Sequence, residues 1–458
     1  MGNTTFGGPG FVLPAPAAPS AAALNNGVGN YVNSAGKYVS AGGAPGYADP
    51  YLAGRAPEFS FYNLGVQRAL TNDLTISVNY AGSQSHFVAG AIVPGFWSGQ
   101  IDPAHIAATG SVLASDGVTN ILNAPATPAN IKIAEAADPS IQIPAFFAAA
   151  GAINKTPTIG RALRPFPQYS APPTATWDNI ANISYNSLQI TLAQRKWKGL
   201  SYTLNYTYSR NLGDDGTNRS AFPVPAAVSS SGVALPGNNR ANRSLTTTDI
   251  PENLNIYGVD ELPFGRGHIG GDNFLVRNLL GGWALSGIFS YHSGTPLLIV
   301  GSGCTTPSQG TCMPDLNPDF HGSVRKNGSF GKGITAAHLN AIQYIDPNAF
   351  KSPASFDIPE SAIQAGATPI TKIGDAPRSA ALGLRNPGKY NLDMSLRRSF
   401  NITPERVKFI FQVDCTDVTN KVTFGGINVT WSPNSKVLGQ VGSASGNRDF
   451  QFSGRVNF

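Results

Sequence analysis

The last ten residues read Asp449-Phe450-Gln451-Phe452-Ser453-Gly454-Arg455-Val456-Asn457-Phe458. Counted back from the end, Phe458, Val456, Gly454, Phe452 and Phe450 fall on one parity, and Asn457, Arg455, Ser453 and Gln451 on the other. Side chains alternate faces along a strand, so the segment predicts a strand with one apolar and one polar face. An ordinary half-buried edge strand closing a soluble domain carries the same pattern. The choice between them rests on whether the rest of the chain repeats it.

Upstream, it does. Val407, Phe409, Phe411, Val413 and Cys415 share one parity, and beyond a turn at 401–405 Tyr390, Leu392, Met394 and Leu396 alternate with Asn391, Asp393, Ser395 and Arg397. A less regular pair comes before that. Leu254, Ile256 and Val259 rise to the connection starting at Glu261, and Trp283, Leu285, Gly287, Phe289 and Tyr291 return. Earlier still, Tyr185, Leu188, Ile190 and Leu192 lead through a turn at 195–199 into Leu200, Tyr202, Leu204, Tyr206 and Tyr208, which alternate with Ser, Thr and Asn. The first pair sets Tyr62, Leu64 and Val66 against Leu74, Ile76, Val78 and Tyr80 across a turn at 71–73. With the terminal segment these hairpins make nine main strands, each of about ten residues.

The connections sort by length. Those inside hairpins are mostly tight, whereas those between hairpins cover about 82–182, 210–251, 293–388 and 416–447. Consecutive connections of an antiparallel array alternate ends, so the long ones all fall at one rim. That polarity is expected of an outer-membrane barrel, with short periplasmic turns and long outer loops. A soluble sandwich would show shorter, less polarised connections. The expected fold is therefore all-β: part of an antiparallel transmembrane β-barrel, nine to ten strands over residues 58–458, with long extracellular loops. Short helices are expected in the first loop near 105–121 and 131–137. Residues 1–57, rich in Gly, Pro, Ala, Asn and Ser, read as irregular and as part of an extracellular loop. Because the last strand ends at the periplasmic rim and the count is odd, the chain is expected to be the C-terminal portion of a longer barrel.

Composition agrees with this. Only 13% of residues are charged, against roughly a quarter in typical soluble domains, while 41% are apolar. No apolar block is long enough for a spanning helix: the best run, 143–153, contains Pro144 and is about half the length required. Only a closed barrel could then carry the chain across a bilayer. Met1 to Asn26 shows no basic start followed by an apolar core. The net charge of +6 is thinly spread, and the one basic cluster, Arg195, Lys196 and Lys198 around Trp197, is too short to track a nucleic acid.

Trp197 and Trp283 stand near the short-turn ends of their strands, while Trp177, Tyr206, Tyr208 and Tyr291 stand near the long-loop ends, as two interfacial girdles would require. Aromatics in the core of a soluble sheet would be placed no differently. Gln189, Thr191, Asn205, Asp393, Arg397 and Gln412 fall on the parity that would face a water-filled interior, which is polar by default. Cys304 and Cys312, separated by seven residues in a Gly/Ser/Thr/Pro-rich loop, would close a small disulfide ring in an oxidising compartment; two unrelated loop thiols are the alternative.

No catalytic constellation is present. His86, His105, His268, His292, His321 and His338 are scattered, and there is no nucleophile elbow or phosphate-binding loop. Gly213-Asp214-Asp215-Gly216 lacks the alternating ligands and distal Glu of a calcium loop and reads as a polar outer turn. No enzyme activity, cofactor or metal is expected.

Several segments in order carry a family resemblance. They are Ser184-Tyr185-Asn186-Ser187-Leu188-Gln189, Tyr206-Thr207-Tyr208-Ser209, Glu261-Leu262-Pro263-Phe264-Gly265, Gly281-Gly282-Trp283 through Ser293-Gly294-Thr295-Pro296, Asp346-Pro347-Asn348-Ala349-Phe350, and Arg385-Asn386-Pro387-Gly388 leading into Asn391-Leu392-Asp393. Together they resemble the landmarks of Oar-like TonB-dependent receptors of the acidobacterial type, over roughly Phe59 to Phe458. The terminal strand, with its final Phe458, resembles the assembly signal of outer-membrane barrels. One departure is Asp414-Cys415-Thr416-Asp417-Val418-Thr419-Asn420, where the family usually carries an aromatic-rich stretch. The resemblance implies a barrel of about 22 strands in the bacterial outer membrane, with a plug and TonB-contacting segment that this chain lacks. It implies uptake of an unknown solute energised through TonB, assembly by the barrel-assembly machinery, and contact with outer-membrane lipid and lipopolysaccharide. A non-transporting surface barrel, used for adhesion or for handling exported proteins, is the rival expectation; a soluble all-β carbohydrate-binding or structural protein is a third.

Overall fold

The computed structural model describes residues 56–89, 101–143, 157–164, 179–214, 243–265, 279–302, 313–326, 342–372, 374–376, 381–403, 407–433 and 437–458, with a few short pieces between. Its centre is one antiparallel sheet whose nine main strands lie side by side in chain order. They are β1 (Glu58–Ala69), β2 (Leu74–Ala89), β3 (Asn179–Trp197), β4 (Leu200–Gly213), β5 (Glu252–Glu261), β6 (Trp283–His292), β7 (Lys389–Thr403), β8 (Val407–Thr416) and β9 (Asp449–Asn457). A short strand, Ser244–Leu245, pairs with the end of β4. The outer strands β1 and β9 do not pair with each other among the described residues. Of the irregular reading of residues 1–57, nearly all lies outside the described residues.

The ladder keeps the apolar parity in phase from strand to strand. Val78 faces Ile190, Ile190 faces Tyr206, and Tyr206 faces Leu254. Leu254 faces Tyr291, Tyr291 faces Tyr390, and further along Leu396 faces Val413 and Val413 faces Phe452. A slip of one residue would turn any strand inside out, so this agreement fixes the register. The resulting apolar face is largely uncovered: Tyr80, Leu188 and Tyr208 on inner strands are 43%, 39% and 55% exposed, and Leu64 and Phe452 at the two edges are 73% and 69% exposed. A soluble sheet would bury that face, and contiguous apolar surface of this extent marks an interaction surface.

Three sequence expectations need correction. The first long loop is shorter than 82–182, because β2 runs on to Ala89 and β3 starts at Asn179, giving strands of 16 and 19 residues rather than about ten. The extension is polar (Gly82, Ser83, Gln84, Ser85), and a ladder outside the bilayer needs backbone pairing but no apolar parity. Second, Tyr185 pairs with Ser83 and Asn211 and shares their face, not that of Leu188 and Ile190. Val259 likewise pairs with Ser201 and Ser286 on the polar side. Third, the turn at 195–199 tightens to Lys198-Gly199, both at positive φ (52° and 101°), the two-residue hairpin that suits the strand twist. A Cβ on Gly199 would meet the Glu261 carbonyl oxygen at 2.7 Å, so glycine is required there.

The buried apolar cores lie in the loops, not in the sheet. The first loop folds into a small helical lobe with α1 (Pro103–Thr109) and α2 (Pro128–Ala137), which overlap the two expected helices, α1 ending well before 121, and α3 (Ile159–Ala162), which was not expected. Asp102, Thr127 and Thr158 cap the three helices, and the first two continue with Pro at the first turn. Ile101, Ile121, Leu122 and Ile159 are fully buried at its centre, joined by Ile370 of the third loop. A second core gathers Ile299, Tyr344, Ile345 and Phe350 from the third loop with Phe424, Trp431 and Leu438 from the fourth. The lobe holds an acid-sensitive contact at Asp138. The Ser140 hydroxyl (2.6 Å) and then the His105 ring (2.7 Å) hold the Asp138 carboxyl down at about 2. A depressed carboxyl contributes stability above its ordinary range near pH 4 and loses it as pH falls through the folded value. Proteolytic resistance of the lobe is therefore expected to fall between pH 4 and pH 2, and Asp138→Asn to flatten that dependence; an unchanged profile would count against the contact.

Candidate functional site

At the long-loop end of the sheet several of the family-like segments converge. Asp249, 1% exposed, sits where the second loop returns to β5. Its Oδ2 meets Arg385 Nη2 at 2.6 Å, and its Oδ1 accepts the Asn211 N–H at 2.5 Å. Arg385 Nη1 also donates to the carbonyls of Asp249 (3.1 Å) and Gly294 (3.2 Å). Behind it the Tyr344 hydroxyl donates to the Arg385 carbonyl at 2.8 Å, tying the second core to the same point. Asn386 pairs with Thr295 through backbone (2.8 Å) and side chain (2.9 Å). A Cβ on Gly294 would fall onto the Asn386 carbonyl oxygen, so this crossing admits only glycine. Ser209 Oγ donates to the Ile250 carbonyl at 2.8 Å, and Ser293 Oγ accepts the Glu252 N–H at 3.0 Å. The arrangement is a clamp: a cap of folded loops is bolted to the rim of β4, β5, β6 and β7. Sequence reading had Arg385 and Gly294 as landmarks and missed Asp249, whose signal was a lone acid entering a strand before Pro251.

The departing segment after β8 is a closed turn. Asp417 and Asn420 take positive φ (45° and 49°), which Asp and Asn tolerate best among non-glycines. The Asp417 carboxylate accepts from Thr419 Oγ1 at 3.0 Å, and its N–H donates to Asp393 Oδ1 at 2.9 Å. Cys415 is buried and free. Cys304, Cys312 and Trp177 lie outside the described residues.

The remaining sequence-marked residues divide between rims and faces. Trp197 is 58% exposed beside the Lys198-Gly199 turn, with Lys198 Nζ 5.6 Å from its ring centroid. Trp283 opens β6 opposite Arg398, whose guanidinium stacks over it at 5.6 Å. Tyr206, Tyr208 and Tyr291 stand toward the opposite end, around Glu252 and Leu254. Phe450, Phe452, Gly454 and Val456 pair with Cys415, Val413, Phe411 and Phe409; Phe458 lies past the ladder. The Phe409 ring covers Gly454, 3.1 Å from where its Cβ would be. On the polar face Thr191 Oγ1 donates to Asn205 at 2.9 Å, and Gln189 stands beside Thr207. Arg397 and Gln412 are a cross-strand pair several strands away and Asp393 stands opposite Ile288, so these six residues line a surface and do not meet at one point. Among the described residues no group of three or more His, Cys, Asp or Glu could hold a metal ion.

An antiparallel sheet in meander order, with an uncovered apolar face and its long loops at one rim, is the arrangement of a membrane β-barrel wall. The sequence matches the model of the outer membrane beta barrel domain over residues 4–451, and the chain belongs to that family and to the bacterial outer membrane. Among solved structures it is similar to the outer membrane transporter YddB from Escherichia coli, at 9% identity and a TM-score of 0.35, covering 92% of this chain and 35% of that one. It is also similar to the pyoverdine outer membrane receptor FpvA from Pseudomonas aeruginosa PAO1, at 9% identity and a TM-score of 0.32, over 90% of this chain and 31% of that one. The chain thus spans about a third of the length of these structures. No curated protein matches it.

Proposed function

We propose that the chain is the C-terminal wall of an Oar-like TonB-dependent receptor, nine main strands of a barrel of about 22, and that the complete protein takes up a solute by energy delivered through TonB. The observation that carries this is the in-phase apolar face across β1 to β9 together with the packed cores that the first, third and fourth long loops form at one rim. The uncovered edges of β1 and β9 are the places where further strands would pair. Trp197 and Trp283 would anchor one interface, and Tyr206, Tyr208 and Tyr291 the other. The terminal strand, with Phe458 at its end, would be read by the barrel-assembly machinery; Cys304 and Cys312 would form a disulfide in the cap. The rival is a surface barrel that displays loops without transporting. Its support is that the loops own two apolar cores. The two divide on whether a plug and TonB box are encoded upstream. Unboiled samples extracted from outer membranes are expected to migrate differently on gels from boiled ones, and a detergent-free soluble monomer would overturn both readings.

A further inference from the structure

The polar face is interrupted by a cavity of about 490 Å³ between β5, β6, β7 and β8. Two adjacent rungs line it: Tyr257, Ile288 and Asp393 in one, and Val259, Ser286, Ser395 and Asp414 in the next. The β5–β6 half is apolar and uncovered, with Tyr257, Val259 and Ile288 48%, 45% and 57% exposed on the face that elsewhere carries mainly Ser, Thr, Asn and Gln. The β7–β8 half is acidic. Asp393 accepts from the Asp417 N–H and Asn391 Nδ2, both at 2.9 Å, and Asp414 accepts from the Ser395 hydroxyl and from Gln412 Nε2, the latter at 2.8 and 3.0 Å. All of these donors are neutral, and neither carboxylate belongs to an ion pair among the described residues. A carboxylate has about four acceptor positions, so both retain capacity for a charged donor.

We propose that this cavity binds an organic cation, with an ammonium group against Asp393 and Asp414 and an apolar body over Tyr257, Val259 and Ile288. The inference rests on the reading that the polar face lines a water-filled interior. Charge complementarity selects the cation, since an anion would meet two carboxylates and a neutral ligand would leave them unused. A bare divalent ion would need six or more oxygen ligands and would leave the apolar half wet. With strands about 4.8 Å apart, the two halves are spanned by a ligand about 10 Å long. Tyr257 adds a ring face for a cation that shifts across the site.

The test uses the complete receptor that carries this wall, extracted from outer membranes in detergent and its barrel state checked first by heat-modifiable migration, with dansylcadaverine, a primary ammonium on an aromatic body, as the probe. Fluorescence titration against empty micelles is expected to show saturable binding. The Asp393→Asn/Asp414→Asn variant should weaken it at least tenfold, and Ile288→Ser severalfold. The N-acetylated probe, which lacks the charge, should not compete. Equal binding of the acetylated probe, unchanged affinity in the variants, or no saturable binding by a chain that passes the migration check would overturn the proposal. A complete receptor that fails the migration check would instead sink the barrel reading. Should the double Asn variant not fold, Ile288→Ser and the acetylated probe still decide.

Discussion

Arg385→Ala is expected to destabilise the loop cap by about 3–5 kcal/mol, the cost of stranding one member of a buried ion pair. Asp249 is 1% exposed and would keep its Asn211 bond but lose every cationic partner. Denaturant unfolding monitored by Trp431, which is buried in the second core and donates to the Pro347 carbonyl at 3.2 Å, would read the change. The Asp249→Ala/Arg385→Ala double variant should lose less than the sum of the singles, because neither partner is then left charged and alone. A single-variant loss below about 1 kcal/mol, the range of an exposed pair, would mean that the clamp is solvated. Heat-modifiable migration should survive the change, since the ladder between strands does not pass through Arg385.

Leu204→Arg and Asn205→Arg should differ sharply although the positions are adjacent. Leu204 lies mid-strand between Leu192 and Ile256 on the apolar face, whereas Asn205 lies between Thr191 and Asn255 on the polar one. Arginine at the centre of a lipid-facing surface costs about 2–4 kcal/mol, while a water-lined face accepts it with little loss. Guanidinium unfolding of the two variants of the complete receptor in phosphatidylcholine vesicles measures the contrast. Equal penalties would remove the assignment of the two faces.

The sheet was legible because period-two alternation is a local signal and β7, β8, β4 and β9 carry it almost without interruption. It misled where the alternation paused: Tyr185 was grouped with Leu188 although it has the opposite parity, and the polar extensions of β2 and β3 were read as loop. The apolar trio Tyr257, Val259 and Ile288 was invisible for a related reason. Each fits the composition of an ordinary strand, and only the register places all three on the polar side. The cap was least legible. Its contacts join segments far apart in the chain, such as Ile370 in the core of the first-loop lobe or Leu438 beside Ile345, and no short-range pattern announces them. The resemblance to a receptor family supplied landmarks without reasons. Gly294 and Arg385 acquire theirs from the Asn386 carbonyl and the Asp249 carboxylate.

The Asp249–Arg385 clamp also bears on how the molecule comes together. Its two halves are carried by the approach to β5 and the approach to β7, with all of β6 between them, so they meet only when three strands are already laid in phase. A one-residue slip would point the intervening side chains to the wrong faces and shift the loops against one another along the strand axis. The ion pair therefore acts as a proofreading contact for strand registration. Its closure carries a high loop-closure cost, and a protease that cuts the unclamped loops is expected to distinguish misregistered chains from correctly assembled ones.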